Sequence, residues 1–321
     1  MYNPSSSIID ELASQNIHID WQSQKILPDQ GLMSHVLEVS SNSGMLILHR
    51  IPLNTTHLEW DLQKKYEILK EFFIKYTIPH VPEYLFLWRE SLSLFTLQRK
   101  IVGTSAGKRT IKNWKIYDIF FERDHREYFT LIERFLGQLH EYNGEWGGPI
   151  DAFSYDTLIG KYPAWKDYLE SHIWNWASLC SCEEIELSLL KKILNSIDPR
   201  EKSTLIHGDI INPSNVLIQK DDIIWVIDWE WSLLADPAWE FADIWWKAAI
   251  RETHLETYFL YQWIHTHSEK KDFLARIEKY HILWLLWGAS MHHDDIDKTL
   301  YNSLIGDFRI YLHSLLSSHA F

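Results

Sequence analysis

The sequence predicts an α+β fold in two lobes: a small antiparallel β lobe with one helix, and a larger, mostly helical lobe after it. Three observations predict it. The first hundred or so residues hold short apolar runs of strand type, separated by turn-rich segments and interrupted by one helical stripe. From Tyr117 onward the pattern is helical. A chain of 321 residues, 46% hydrophobic and 14% aromatic, exceeds one ordinary domain and suits two lobes sharing a cleft. The boundary is placed so that the lobes span residues 1–100 and 101–321.

Residues 5–17 read as a short helix. Residues 36–39 and 45–48 read as paired strands, joined by the turn-rich stretch 40–44. A helix is expected over 58–76, with Leu58, Leu62, Tyr66, Leu69 and Phe73 at helical spacing. Pro79 and Pro82 break the chain, and residues 84–88 and 92–99 supply two more strands. In the second lobe Leu131, Phe135, Leu136 and Leu139 form an amphipathic face, residues 144–149 read as a loop, and Tyr162 to Trp165 open another helix. Seventeen tryptophans are explained best as packing in the helical lobe.

Charge narrows the function. The formal net charge is −13, from 44 acidic and 31 basic residues, which argues against a nucleic-acid substrate; it is compatible with a cationic small molecule, although a solvated acidic surface explains it more simply. The two cysteines, Cys180 and Cys182, supply neither a disulfide framework nor a zinc site, and read as free thiols in a reducing compartment. The first residues lack a signal-sequence pattern and no apolar run reaches membrane-spanning length, so the expectation is a cytoplasmic protein with no membrane partner. Oligomeric state is not encoded in these patterns.

The chemistry is concentrated in Leu205-Ile206-His207-Gly208-Asp209, then Asn215, then Val226-Ile227-Asp228-Trp229-Glu230. Phosphoryl transfer asks a protein to position reactants and to neutralise charge: one carboxylate takes the proton of an attacking hydroxyl while hard oxygen ligands hold magnesium on the nucleotide phosphates. Asp209 fits the first task, and Asn215 with Asp228 fits the second. His207 and Gly208 read as loop framework.

These segments, standing here as HGDIINPSN and VIDWEW, resemble the catalytic core of the aminoglycoside phosphotransferase and choline kinase-like superfamily. The run Asp236-Pro237-Ala238-Trp239-Glu240 resembles that superfamily's acidic-proline turn, which opens the next helix. The resemblance covers about Gln30 to Trp246. It implies a bilobal protein-kinase-like fold, Mg2+ as cofactor, ATP or GTP as phosphate donor, and a hydroxyl-bearing small molecule as acceptor. It also implies a nucleotide-covering loop near Gly31 and Ser34, and a basic residue on the second strand of the pair. There strand alternation favours His49 and the Arg-Ile-Pro string favours Arg50; the reading leans to Arg50, which is always charged. In that superfamily the C-terminal helical region recognises the acceptor, and Asp294 or Asp295, with Glu240 and Asp243, is expected to contribute acidic groups to the pocket. His265, His267, His292 and His293 form a cluster that reads as solvated loop before metal site.

Three departures stand out. The spacer from Asp209 to Asn215 is six positions, one longer than usual, so that either the turn bulges, Asn212 substitutes, or the second metal ligand is lost; the bulge is favoured, because Asn215 runs directly into Val216-Leu217-Ile218. The covering loop carries one glycine. The helix position that usually bears a glutamate carries Lys65. A nucleotide-binding pseudokinase or scaffold is therefore the alternative to a small-molecule kinase, and nucleotidyl transfer is a third reading.

Overall fold

A computed structural model of the chain describes residues 2–27, 35–53, 61–78, 80–112, 116–121, 125–198, 202–210, 212–219, 224–249, 270–295 and 298–317. In chain order the elements begin α1 (Ser6–Ser14), β1 (Ile19–Ile26), β2 (His35–Ser41), β3 (Gly44–Pro52), α2 (Leu62–Tyr76), β4 (Tyr84–Glu90), β5 (Ser93–Arg99), β6 (Thr104–Ser105), β7 (Gly107–Lys112), β8 (Ile116–Phe121) and α3 (His125–Leu139). They continue β9 (Asn143–Glu145), β10 (Gly147–Ser154), β11 (Thr157–Tyr162), α4 (Trp165–Leu179), α5 (Glu184–Asn195), β12 (Ser203–Ile206), β13 (Val216–Ile218), β14 (Ile224–Val226), β15 (Leu233–Ala235), α6 (Pro237–Ala249), α7 (Lys270–Met291) and α8 (Thr299–Ser317).

The chain divides into two compact units, Met1–Ser105 with Val216–Ile227, and Ala106–Asn215 with Asp228–Phe321. The boundary expected after residue 100 thus falls after Ser105, and the β13–β14 hairpin, expected in the second lobe, clusters with the first. Pairing explains the exchange: β13 is hydrogen-bonded on one side to β14 and on the other to β6, with Ile218 opposite Thr104.

Unit 1 is built on an antiparallel sheet in the order β1-β2-β3-β5-β4. Alternation along β3 gives each face its own role. Leu46 and Leu48 point into a cluster with Leu12 of α1, Val39, Phe86, Trp88, Phe95 and Leu97. The other face receives α2, whose Tyr66 and Phe73 rings lie 5.3 and 6.4 Å from the Tyr84 ring. A bulge between Tyr84 and Phe86 lets β4 serve both faces. Asp61 caps α2 by accepting from the Lys64 amide, and Thr77, at φ +48°, ends it.

Unit 2 carries the remaining helices and a small closed barrel, β10-β11-β9-β12-β15. Two stretches differ from the sequence reading. Tyr117, expected to begin helix, lies in β8 paired with β7 across Ile111; the run Ile-Tyr-Asp-Ile-Phe-Phe is β-branched and aromatic, and its partner strand decides for sheet. Residues 144–149, expected as loop, belong mostly to β9 and β10. Their glycines permit close approach of backbones, since a Cβ on Gly147 would sit 2.5 Å from the Trp165 Cα, and one on Gly160 would sit 2.4 Å from the Gly147 carbonyl oxygen. Tryptophans do pack the helical core: Trp239 of α6 meets Trp165 at 5.0 Å and Trp284 of α7 at 4.9 Å between ring centroids. Among the described residues no helix is long and apolar enough to cross a membrane.

Candidate active site

The four residues of β12 are all buried and deliver the chain to His207 at the barrel's end. The loop that begins there is held at nearly every position. The amides of His207 and Gly208 donate to the two carboxylate oxygens of Glu240, at 2.7 and 2.9 Å. Glu240 sits in the first turn of α6 and is fully buried. A carboxylate at a helix N-terminus that also satisfies two buried amides fixes the loop entry strongly. His207 is itself fully buried, and its Nδ1 accepts from the Asp209 amide at 3.2 Å. Gly208 adopts φ +82°, and a Cβ there would lie 2.5 Å from the Trp231 carbonyl oxygen, so glycine is required twice over.

Asp209 emerges from this frame only partly buried. Asn215, 4% exposed, donates its Nδ2 to the Asp209 backbone carbonyl at 3.0 Å and to its Oδ2 at 2.9 Å. The extra spacer residue is taken up in a turn: the Asn212 amide donates to the Asp209 carbonyl, and the Asn215 amide to the Asn212 carbonyl, opening the short 3-10 turn Pro213–Asn215. Asn212 directs its Oδ1 to the amide and hydroxyl of Ser214, at 3.3 and 2.7 Å, and approaches Asp209 Oδ2 more distantly, at 3.4 Å. Of the two asparagines, Asn215 is the one clasped to the Asp209 carboxylate. Tyr128 of α3 steadies the far side by donating to the Ile210 carbonyl at 3.1 Å.

Asp228 stands where β14 gives way to a 3-10 turn, Trp229–Trp231, and adopts φ +67°, ψ +67°. A left-handed aspartate is tolerated better than most side chains, and such a conformation persists when the surroundings impose it. They do: Trp229 is fully buried, with its ring edge-to-face on His207 at 4.8 Å and on Phe135 at 6.4 Å. The Trp231 carbonyl lies against Gly208. Asp228 is thus held in a turn packed directly on the loop that carries Asp209.

In unit 1, His49 and Arg50 fall on opposite faces of the sheet. His49 pairs with Val36 and Thr96, lies on the α2 side and is 8% exposed. Its Nε2 is buried with no hydrogen-bond partner among the described residues, and burial pushes its pKa down to about 4, so the imidazole is neutral at pH 7. Arg50 is exposed on the α1 side, where it donates to the Ser93 hydroxyl at 3.1 Å and lies 6.0 Å from the Phe95 ring centroid. Gly31 and Ser34 lie outside the described residues, as do His265 and His267.

The acids expected at an acceptor pocket separate. Glu240 is engaged by the loop amides, and Asp243 is fully buried. Asp236 caps α6 through the Ala238 amide at 2.9 Å, accepts from the Tyr280 hydroxyl and forms an ion pair with Arg276, which leaves Pro237 at the first helical position, where a missing amide does no harm. Asp294 and Asp295 are solvent-facing and pair with His293 at 3.0 Å and His292 at 2.7 Å. Glu240 is the residue that sequence reasoning misassigned. The signal for its true place was its position in the first turn after a capped proline, where a carboxylate faces amides more readily than ligand.

The profile of the phosphotransferase enzyme family matches residues 48–269. Among curated protein sequences none matches the chain. Solved structures do resemble it. A thermostable mutant of aminoglycoside phosphotransferase APH(4)-Ia, in ternary complex with AMP-PNP and hygromycin B, aligns with a TM-score of 0.65 at 15% identity, over 96% of this chain and 99% of that one. The macrolide 2'-phosphotransferase MphH from Brachybacterium faecium aligns at 0.57 and 12%, over 93% and 95%. The GDP complex of aminoglycoside 2'-phosphotransferase-IIIa aligns at 0.56 and 12%, over 96% and 97%. These likenesses establish the kinase-like fold across nearly the whole chain. Since the family profile spans more than half of the sequence, from β3 past the loop of residues 207–215, the protein belongs to the phosphotransferase enzyme family and is a kinase-type transferase.

Proposed function

We propose that the enzyme transfers the γ-phosphate of ATP or GTP to a hydroxyl of a small antibiotic or metabolite, of the aminoglycoside-like or amino-alcohol class. The observation that carries this reading is the clasp of Asn215 on Asp209, which anchors the carboxylate through Oδ2 and orients it as a proton acceptor. Asp209 is the catalytic base in this reading. The acceptor oxygen forms its bond to the γ-phosphorus as the bond to the β,γ-bridging oxygen breaks, the acceptor's proton passes to Asp209, and ADP or GDP leaves. Asn215 and Asp228 are the residues that would hold Mg2+. They fit it chemically, because the amide nitrogen of Asn215 is committed to Asp209, its amide oxygen, which takes a long bond of 3.5 Å from Asn212 Nδ2, is a hard oxygen with a second lone pair, and the Asp228 carboxylate is hard as well. The ion would neutralise charge on the β- and γ-phosphates. His49, neutral and buried, is favoured over Arg50 as the β3 side chain on the donor phosphates.

Support for the donor and acceptor classes comes from the neighbours, whose complexes hold AMP-PNP with hygromycin B, and GDP. The acidic net charge agrees with a cationic acceptor. A complete Asp209, Asn215 and Asp228 set weighs against a pseudokinase. The test is nucleoside diphosphate release with magnesium and either ATP or GTP, across aminoglycosides, macrolides, amino alcohols and sugars, with Asp209→Asn as control. Acceptor-dependent release that the control abolishes supports the reading; nucleotide binding with no turnover on any acceptor overturns it in favour of a pseudokinase.

A further inference from the structure

We infer that Asn212, which lies inside the lengthened spacer, is a positioning residue for phosphoryl transfer: its side-chain amide locks Asn215 in the orientation that points the Asn215 nitrogen at Asp209 and reserves the Asn215 oxygen as the metal-binding end. This rests on the proposed kinase activity and on the hydrogen bonds of the loop. Asn212 is 7% exposed, and each of its side chain's four hydrogen-bonding positions is used. Its Oδ1 accepts from the Ser214 amide at 3.3 Å and from the Ser214 hydroxyl at 2.7 Å. A backbone amide can only donate, so these contacts settle which end of the Asn212 amide is oxygen. The two hydrogens of Nδ2 then face Asp209 Oδ2 at 3.4 Å and Asn215 Oδ1 at 3.5 Å.

The consequence falls on Asn215. An asparagine amide is nearly symmetrical in shape, and only its partners distinguish nitrogen from oxygen. Asn215 Nδ2 donates to Asp209 Oδ2 at 2.9 Å and to the Asp209 carbonyl at 3.0 Å, while its Oδ1 accepts from Asn212. Turned end for end, Asn215 would set its oxygen against the Asp209 carboxylate and carbonyl, and its nitrogen against the Asn212 nitrogen. Three side chains thus close a triangle in which Asn212 donates to both other corners. The two Asn212 bonds are long beside the 2.9 Å clasp, as the hydrogen bonds of a catalytic group commonly are before substrates bind. That length suits a guide: Asn215 Oδ1 keeps a lone pair for a metal, and the amide is still held from turning. The longer spacer carries its own brace for the metal ligand.

The test asks whether Asn212 acts through Asn215. Asn212→Asp keeps the shape and the oxygen that meets Ser214 but places a second oxygen where the nitrogen donates, and Asn212→Ala removes the amide outright. Nucleoside diphosphate release gives kcat and the acceptor KM, and calorimetry on the full chain gives ATP affinity with and without magnesium. Either variant should lower kcat by about 10- to 100-fold, the usual loss when the partner of a metal ligand is removed, and should shrink by a similar factor the gain in ATP affinity that magnesium brings. ATP affinity without magnesium and the acceptor KM should hold. In an Asn215→Ala background, Asn212→Ala should cost no more than about a further twofold. A kcat and a magnesium-dependent gain within about twofold of wild type in both variants, or a fully additive loss in the double variant, overturns the inference while leaving the kinase reading in place. An equal fall in ATP affinity with and without magnesium, or loss of the native fold in both variants, assigns Asn212 a structural role and also overturns it. A wild type that binds nucleotide without turnover on any acceptor refutes the kinase reading itself.

Discussion

The loop of residues 207–215 in unit 2 and strand β3 of unit 1 are read from equally short stretches of sequence, yet they differ in how their side chains are fixed. In the loop, neighbours in sequence brace one another: the Asp209 amide reaches His207, and the Asn215 side chain returns to Asp209. On β3 nothing local decides. Whether His49 or Arg50 meets the α2 side depends on pairing with β2 and β5, and on which face the helix covers. The difference teaches that a motif specifies chemistry when its constraints are short-range, and specifies only candidates when a sheet's register chooses the face.

The largest effect expected from breaking this contrast is at the loop. Asp209→Asn should lower kcat by about 10²- to 10⁴-fold, the usual worth of a positioned base, with ATP affinity nearly unchanged. Asp228→Asn should instead weaken binding of ATP with magnesium. Steady-state kinetics beside calorimetry check both, and equal loss of nucleotide affinity in the two variants contradicts the assignment of Asp209 to the acceptor side.

Next comes the brace. Glu240→Ala leaves the His207 and Gly208 amides buried without acceptors, a loss of about 2–5 kcal/mol at the usual penalty for an unmet donor. Gly208→Ala should be comparably damaging, through strain at positive φ and the clash with Trp231. Denaturant unfolding measures both. A Glu240→Ala protein of wild-type stability but altered acceptor KM would return Glu240 to the acceptor pocket.

The legibility of the chain follows the same division. Asp209, Asn215 and Asp228 stand out in the sequence as candidates because chemistry and spacing coincide in two short runs. The spacer's extra residue reads as a bulge that still delivers Asn215, because Asn215 runs directly into the next strand; the 3-10 turn that absorbs it was not legible, since several loop geometries could do the same. Helix α2 was legible from its period, whereas the strand at Tyr117 and the barrel strands at 143–154 were not. In the first case a partner strand outweighs local propensity; in the second, glycine is used for backbone approach, and the same residue in a sequence reads as a turn. Glu240 was visible as an acid near the site but not as a buried acceptor, because its partners lie more than thirty positions earlier.

A smaller effect tests the strand side through pH. In the unfolded chain His49 protonates below about pH 6.5, and in the fold only near 4, because burial disfavours the charged ring. Between those values the unfolded state binds the extra proton. Stability is therefore intact above about pH 6.5 and falls as pH drops toward 4, by at most roughly 3 kcal/mol from this residue. His49→Gln should flatten that part of the profile in urea unfolding at pH 7 and pH 5. His281 of α7, pushed down to about 3 by burial, should give the same sign in unit 2.

The smallest effect is expected at Asp294 and Asp295, which face solvent beside His293 and His292. Pairs of this kind contribute about 0–1 kcal/mol, so Asp294→Asn and Asp295→Asn should leave stability nearly unchanged. Their value lies in the acceptor. If either carboxylate attracts a cationic substrate, KM should rise for an aminoglycoside and stay constant for a neutral sugar, with kcat preserved in both, because the contact would hold equally in ground and transition states. A KM unchanged for every acceptor would remove these acids from recognition. With Glu240 engaged by the loop amides and Asp243 fully buried, the cationic preference would then rest on the acidic field of the whole chain and not on a dedicated carboxylate.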